Sequence, residues 1–218
     1  MKSFQNHLLL QNLYRLKALG FNYTDPIAVN HKTVQDLPQD IEHLNQMISQ
    51  CHLCDLNKSR QQSMAGFGNI RSKILFIDDY VSSSDDESHS YFSGRSGDTL
   101  QKMIENVLKI DIHDIYITHL VKCKPYGSNL PSDSEYDSCK HYLFRQLEII
   151  KPKIVVTLGE NCYQRFTNDD TPFEDVRGHI ISHNNYKIIP IYHPSFLLRN
   201  PSTKKIALQD LQTIKGCL

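Results

Sequence analysis

The sequence predicts an α/β fold, an α/β/α sandwich around a central four-stranded, mostly parallel sheet. Two observations carry this. From Lys73 onward, short apolar runs alternate with amphipathic stretches of helical period. The apolar runs are also continuous, as strands covered on both faces require, whereas a half-solvated sheet would show alternation.

Taken in order, residues 5–19 place Leu9, Leu13, Leu16 and Leu19 at helical spacing ahead of Gly20, a C-terminal cap. Residues 21–35 are polar and contain Pro26, as a linker would. A second helix is expected from near Pro38, with Ile41, Leu44, Met47 and Ile48 on one face, leading into Cys51-His-Leu-Cys54. Residues 1–50 are thus read as a helical extension to a domain spanning 51–218. Within that domain, KILFID (73–78) is the first strand and Gly97–Leu108 a helix with Leu100, Met103, Ile104 and Val107 on one side. DIYITHLV (114–121) is the second strand. Ser132 and Glu135 form a capping box opening a long helix that ends near Lys151-Pro152. KIVVTLG (153–159) is the third strand, followed by a short helix, Glu160–Phe166. KIIPIYH (187–193) is the fourth, and its Pro190 suits an edge position. A last helix runs from near Ser202 to Gly216. Ser82–Ser90 is a polar run, the one low-complexity tract visible. In such sheets ligand chemistry gathers beyond the C-terminal strand ends, here Asp78-Asp79, His119-Leu120, Gly159-Glu160 and His193.

The 218 residues carry 24 Lys and Arg against 24 Asp and Glu, so binding to nucleic acid has to come from a local patch. No apolar run approaches the roughly 18 residues of a membrane span, and MKSFQNHLLLQNLYRL has no signal-peptide cleavage site. A cytoplasmic, monomeric protein is expected. The six cysteines then point to metal rather than disulfides. Cys51 and Cys54 form a close pair, while Cys123 and Cys139 are separated singles. A zinc ribbon would show a second close pair; this pattern suits a [4Fe–4S] cluster better, with zinc the alternative. Cys162 and Cys217 look like ordinary residues.

The order CHLC, KILFI, SYFSGRSGDTL, IYITHLVKCKP, CKHYL, KPKIVVTLGENC, RGH and YHPSFLLRNP resembles the iron–sulfur uracil-DNA glycosylases called family 4, over roughly residues 51–212. The resemblance implies the α/β/α glycosylase fold, excision of uracil from DNA, and a cluster held by Cys51, Cys54, Cys123 and Cys139. It matches His193, in His-Pro-Ser, to the donor that steadies negative charge on the departing base. Phe92 matches the aromatic that stacks on the flipped base, a contact worth about 1–3 kcal/mol. The run Gly94-Arg95-Ser96-Gly97 would let backbone approach phosphate at a helix start. Ser195, Phe196, Leu197, Leu198 and Arg199 follow as the DNA-facing segment: apolar side chains to fill the vacated stack and a cation for phosphate, the alternative being that Leu197 and Leu198 pack inward and only the cation meets DNA.

Two departures stand out. The family's Gly-Glu-Ala-Pro-Gly type loop is replaced by Asp78-Asp79-Tyr80-Val81-Ser82, leaving Asp79 at the Glu position to orient water, with Asp78 as an alternative and Tyr80 positioned to close the pocket. The family's base-reading Asn falls on His119, whose ring cannot present an amide's paired donor and acceptor. The resulting expectation is a DNA-repair glycosylase that flips uracil or another deaminated base and hydrolyses its N-glycosidic bond. The alternative is an iron–sulfur DNA-binding protein of the same scaffold with lapsed or altered catalysis.

Overall fold

A computed structural model describes residue 17 and residues 37–218, apart from 128 and 184. The helix predicted over 5–19 and the linker after it lie outside the described residues. Leu37–Leu218 forms one compact unit.

The sheet has six strands where the sequence predicts four, in the order β1-β3-β2-β4-β6-β5. The additions are β1 (Phe67–Gly68) and β5 (Ile181–His183), each antiparallel to its neighbour. Two or three residues are too few to register as a periodic pattern. The four expected strands, β2 (Ile74–Tyr80), β3 (Tyr116–Val121), β4 (Ile154–Leu158) and β6 (Tyr186–Ile191), are mutually parallel. Every residue of β3 and β4 is buried. Successive side chains point to opposite faces, so both faces of the sheet are covered.

Pro190 overturns a simple expectation. Its strand is interior, between β4 and β5. Lys187 N–H donates to Lys153 O, and Ile191 O accepts from Gly159 N–H, so odd-numbered residues of β6 bond to β4. The Pro190 ring nitrogen therefore faces the other side, beyond the point where β5 pairing ends at Ile188.

The helix α1 (Ile41–Ser49) buries Ile41, Leu44 and Ile48 and belongs to the unit 37–218, although the sequence groups it with the N-terminal extension. The polar run 82–90 contains a short helix, α2 (Ser83–Ser88), opened by a capping box between Ser82 and Asp85. Next, α3 (Gly94–Lys102) widens into a π-helical turn, Met103–Leu108. The long helix α4 (Asp133–Ile150) begins as predicted: Glu135 accepts from the Ser132 backbone N–H at 2.6 Å. It stops at Lys151, which turns left-handed (φ 51°) ahead of Pro152. Then come α5 (Glu160–Thr167), α6 (Phe173–Val176), α7 (Pro194–Arg199) and α8 (Lys204–Cys217). No helix of the described residues is long and apolar enough to cross a membrane.

Candidate active site

Parallel pairing brings the C-terminal ends of β2, β4 and β6 to one edge of the sheet, and a cavity of about 620 Å³ opens there. Asp78, Asp79 and Tyr80 enter it from β2, Gly159 and Asn161 from the β4–α5 junction, and His193 from the β6–α7 junction. Tight turns make this possible. Gly159 adopts φ +90°, and a side chain on it would press within 3.1 Å of the His193 Cβ.

His193 is not a strand residue. It is the N-cap of α7, so the segment expected to face DNA is a helix with Pro194 in its first turn. Its Nδ1 accepts from the Ser195 backbone N–H at 3.1 Å and lies 2.7 Å from Ser195 Oγ. Its Nε2 lies 3.2 Å from the Asp78 carboxylate. Burial works against the imidazolium, but the charge and hydrogen bond of Asp78 outweigh it and raise the His193 pKa overall. For Asp78, burial is the largest influence and raises the pKa; His193 and His119 more than offset it and leave the carboxyl lowered.

Asp79 is held differently. Tyr136 Oη donates to one carboxylate oxygen and Asn161 Nδ2 to the other, each at 2.5 Å. Burial raises the Asp79 pKa beyond what those two bonds restore, with the adjacent Asp78 adding to the rise. A clamped carboxylate of raised pKa at a cavity wall is suited to accept a proton from water. Tyr136 and Asn161 carry no signal in the sequence reading, although Asn161 stands just beyond a strand end, where the topology favours ligand contacts.

Other expected residues lie elsewhere. Phe92 does not line the cavity; it packs edge-on against Phe67 (6.1 Å, 80°) over a separate hollow. The aromatic side chain entering the cavity from this segment is Tyr91, one residue earlier. The chain is fixed in this pose because Gly97 sits against the Phe92 backbone, where an added Cβ would come within 2.2 Å. His119 pairs in register with Asp78 but is 1% exposed and stacks on Tyr91 (4.8 Å, 21°), so it stands behind that ring and not at the cavity wall. Burial pulls its pKa down to about 4, and its Nδ1 has no partner. Leu197 is 3% exposed and part of the core, the inward packing given as the alternative to a wedge, so leaving it would cost core packing. Phe196 stacks on Tyr192 (4.7 Å, 15°) and lines the cavity with Ser195 and Arg199, whereas Leu198 is half-buried outside it.

Away from the cavity, Cys51, Cys54, Cys123 and Cys139 line one small hollow with Ile48, Val121 and Tyr142. Arg60 Nη1 donates to Cys123 Sγ at 3.0 Å and also binds the carbonyls of Ser49 and Cys51. The Lys122 backbone N–H points at Cys139 Sγ (3.4 Å). Burial pushes the Cys139 thiol up to about 12. Among the described residues no three metal-binding side chains converge on a single ion. Buried Lys122 Nζ binds Thr118 Oγ1, His119 O and Gln146 Oε1, joining this hollow to the base of the His119 strand.

A family model described as the uracil DNA glycosylase superfamily matches residues 65–212. A type-4 uracil-DNA glycosylase of Saccharolobus solfataricus is 32% identical over 179 residues, covering 78% of this chain and 83% of that protein. One from Thermotoga maritima is 32% identical over 180 residues, 81% and 93% respectively. With its parallel sheet and a histidine and carboxylate meeting at the strand ends, the chain belongs to the uracil-DNA glycosylase superfamily.

Proposed function

We propose that the protein is a DNA-repair glycosylase that flips uracil, or another deaminated base, out of DNA and hydrolyses its N-glycosidic bond. The carrying observation is that His193 and Asp79 enter one cavity, roomy enough for a flipped base, from separate strand ends. Asp79, clamped by Tyr136 and Asn161, orients water and takes its proton as the sugar carbon develops positive charge. The His193 N–H faces the charge that gathers on the leaving base once the Asp78 contact is released. Arg199 is exposed beside the cavity, where a phosphate can reach it. Tyr91 takes the stacking role expected of Phe92.

We infer that the four-cysteine hollow holds a [4Fe–4S] cluster, in keeping with the chemistry of a four-thiol donor set. Supporting this, the four cysteines line one hollow, and N–H donors of Arg60 and Lys122 point at Cys123 and Cys139. Cys51, Cys54, Cys123 and Cys139 would hold the cluster, which would tie the segment after α1 to β3 and α4. We expect a monomer working in the cytoplasm, with residues 1–36 preceding the catalytic unit.

The test is base release from a uracil-containing oligonucleotide, read by alkaline strand cleavage. Wild-type protein is expected to cleave, and His193→Ala to lose about 10²–10³ in rate. No cleavage by excess wild-type protein, across uracil and other deaminated bases, refutes the proposal.

A further inference from the structure

We propose that Leu130 is a wedge that enters duplex DNA in place of the flipped base, so that this side chain governs action on double strands far more than on single strands. This rests on the reading of the cavity as a base-excision pocket.

Exposure at the cavity rim is the first ground. Leu130 is 65% exposed, and of the large apolar side chains exposed among the described residues it alone lines the cavity. It stands just ahead of α4, on a different element from α7. An apolar side chain left in water beside a pocket gains free energy when apolar surface covers it, and the faces of stacked bases are such a surface. On α7 the choice has narrowed. Leu197 belongs to the core, Phe196 stacks on Tyr192, and Leu198 stays half-buried outside the cavity.

A rigid support is the second ground, because a side chain that holds base pairs apart must not give way. Pro131 is buried, and it holds the backbone of Leu130 toward the extended region. The next residue, Ser132, closes the capping box with Glu135. Arg165 of α5 pairs with Asp133 and lies 4.7 Å over the Tyr136 ring, which ties the first turn of α4 to α5. Tyr136 in turn donates to Asp79. Leu130 is therefore braced by the same turn that clamps the water-orienting carboxylate.

The two forms of DNA ask different things of such a side chain. Extruding a nucleotide from a duplex leaves a gap between base pairs, and a leucine in that gap covers the bared faces and keeps the base from returning. A single strand has no opposing base and no closed stack to hold open.

The experiment measures kcat/KM for uracil excision from a duplex with uracil opposite guanine, and from the same strand alone. Leu130→Ala is expected to lower the ratio of duplex to single-strand activity at least about tenfold, and Leu130→Met to keep it near the wild-type value. The urea midpoint of the alanine variant should stay close to wild type, because the truncated side chain lies largely in water. A ratio unmoved by Leu130→Ala, or a wild type that cleaves single strands and leaves duplex intact, overturns the wedge and leaves the excision reading standing. Excision from neither substrate by wild type overturns both.

Discussion

His119 should make the protein lose stability in mild acid, by an amount the structure allows us to work out. The ring is 1% exposed, and burial lowers its pKa from 6.5 to about 4. Between those values the unfolded chain binds a proton that the folded protein refuses. Its contribution to stability therefore falls as the pH drops from about 6.5 toward 4. At about pH 5 the loss is about 2 kcal/mol, taking 1.4 kcal/mol per pKa unit. That corresponds to roughly 4–8 °C in Tm for a domain of this size. His193 acts in the opposite sense: its raised pKa gives stability that is present in acid and lost as the pH rises through the folded value. The perturbation is His119→Asn, which removes the titrating ring and leaves His193 in both proteins. Urea denaturation at about pH 7.5 and about pH 5 should show a wild-type loss some 2 kcal/mol larger than that of the variant. Parallel losses, or a His119 ring resonance titrating near its ordinary value, would refute the reasoning.

Asp210→Ala removes the nearest partner of Arg177, whose largely buried guanidinium binds that carboxylate at 2.5 Å and keeps only Glu174 at 3.4 Å and the face of Tyr192. A cost of about 1–3 kcal/mol is expected, read as a fall in the urea midpoint. Leu197→Ala should cost about 2–5 kcal/mol, while Leu198→Ala stays within about 0.5 kcal/mol and slows excision from duplex more than from single-stranded DNA. Equal stability costs for the two leucines would contradict their different burial. The proposed cluster predicts a brown, iron-containing wild-type protein and a Cys139→Ser variant that loses both; zinc in a colourless wild type would reject the cluster.

Much of the framework was legible because a buried strand needs continuous apolar residues and a helix needs capping. Val155 and Val156 or Ser132 with Glu135 announce themselves locally. The candidate site was legible at His193, Asp78 and Asp79, where the chemistry sits at strand ends. Phe92 and Tyr91 were not separable, because adjacent aromatics differ only in which way the backbone before Gly97 turns. Tyr136 and Asn161 reach Asp79 from 57 and 82 residues away, a convergence no local pattern records. Leu197 illustrates the same limit. Its apolarity predicted contact with something, and in the folded protein that partner is the core.

The proline on β6 has a consequence for life at high concentration. A sheet of such apolar strands invites lateral growth by a neighbouring chain. Past the three residues of β5, the next backbone position offers no N–H, and the Pro190 carbonyl is already satisfied by the Gly178 N–H at 2.8 Å. Beyond the short outer edge of β5, that margin gives an incoming strand no ladder to extend, which limits lateral self-association on this side of the molecule.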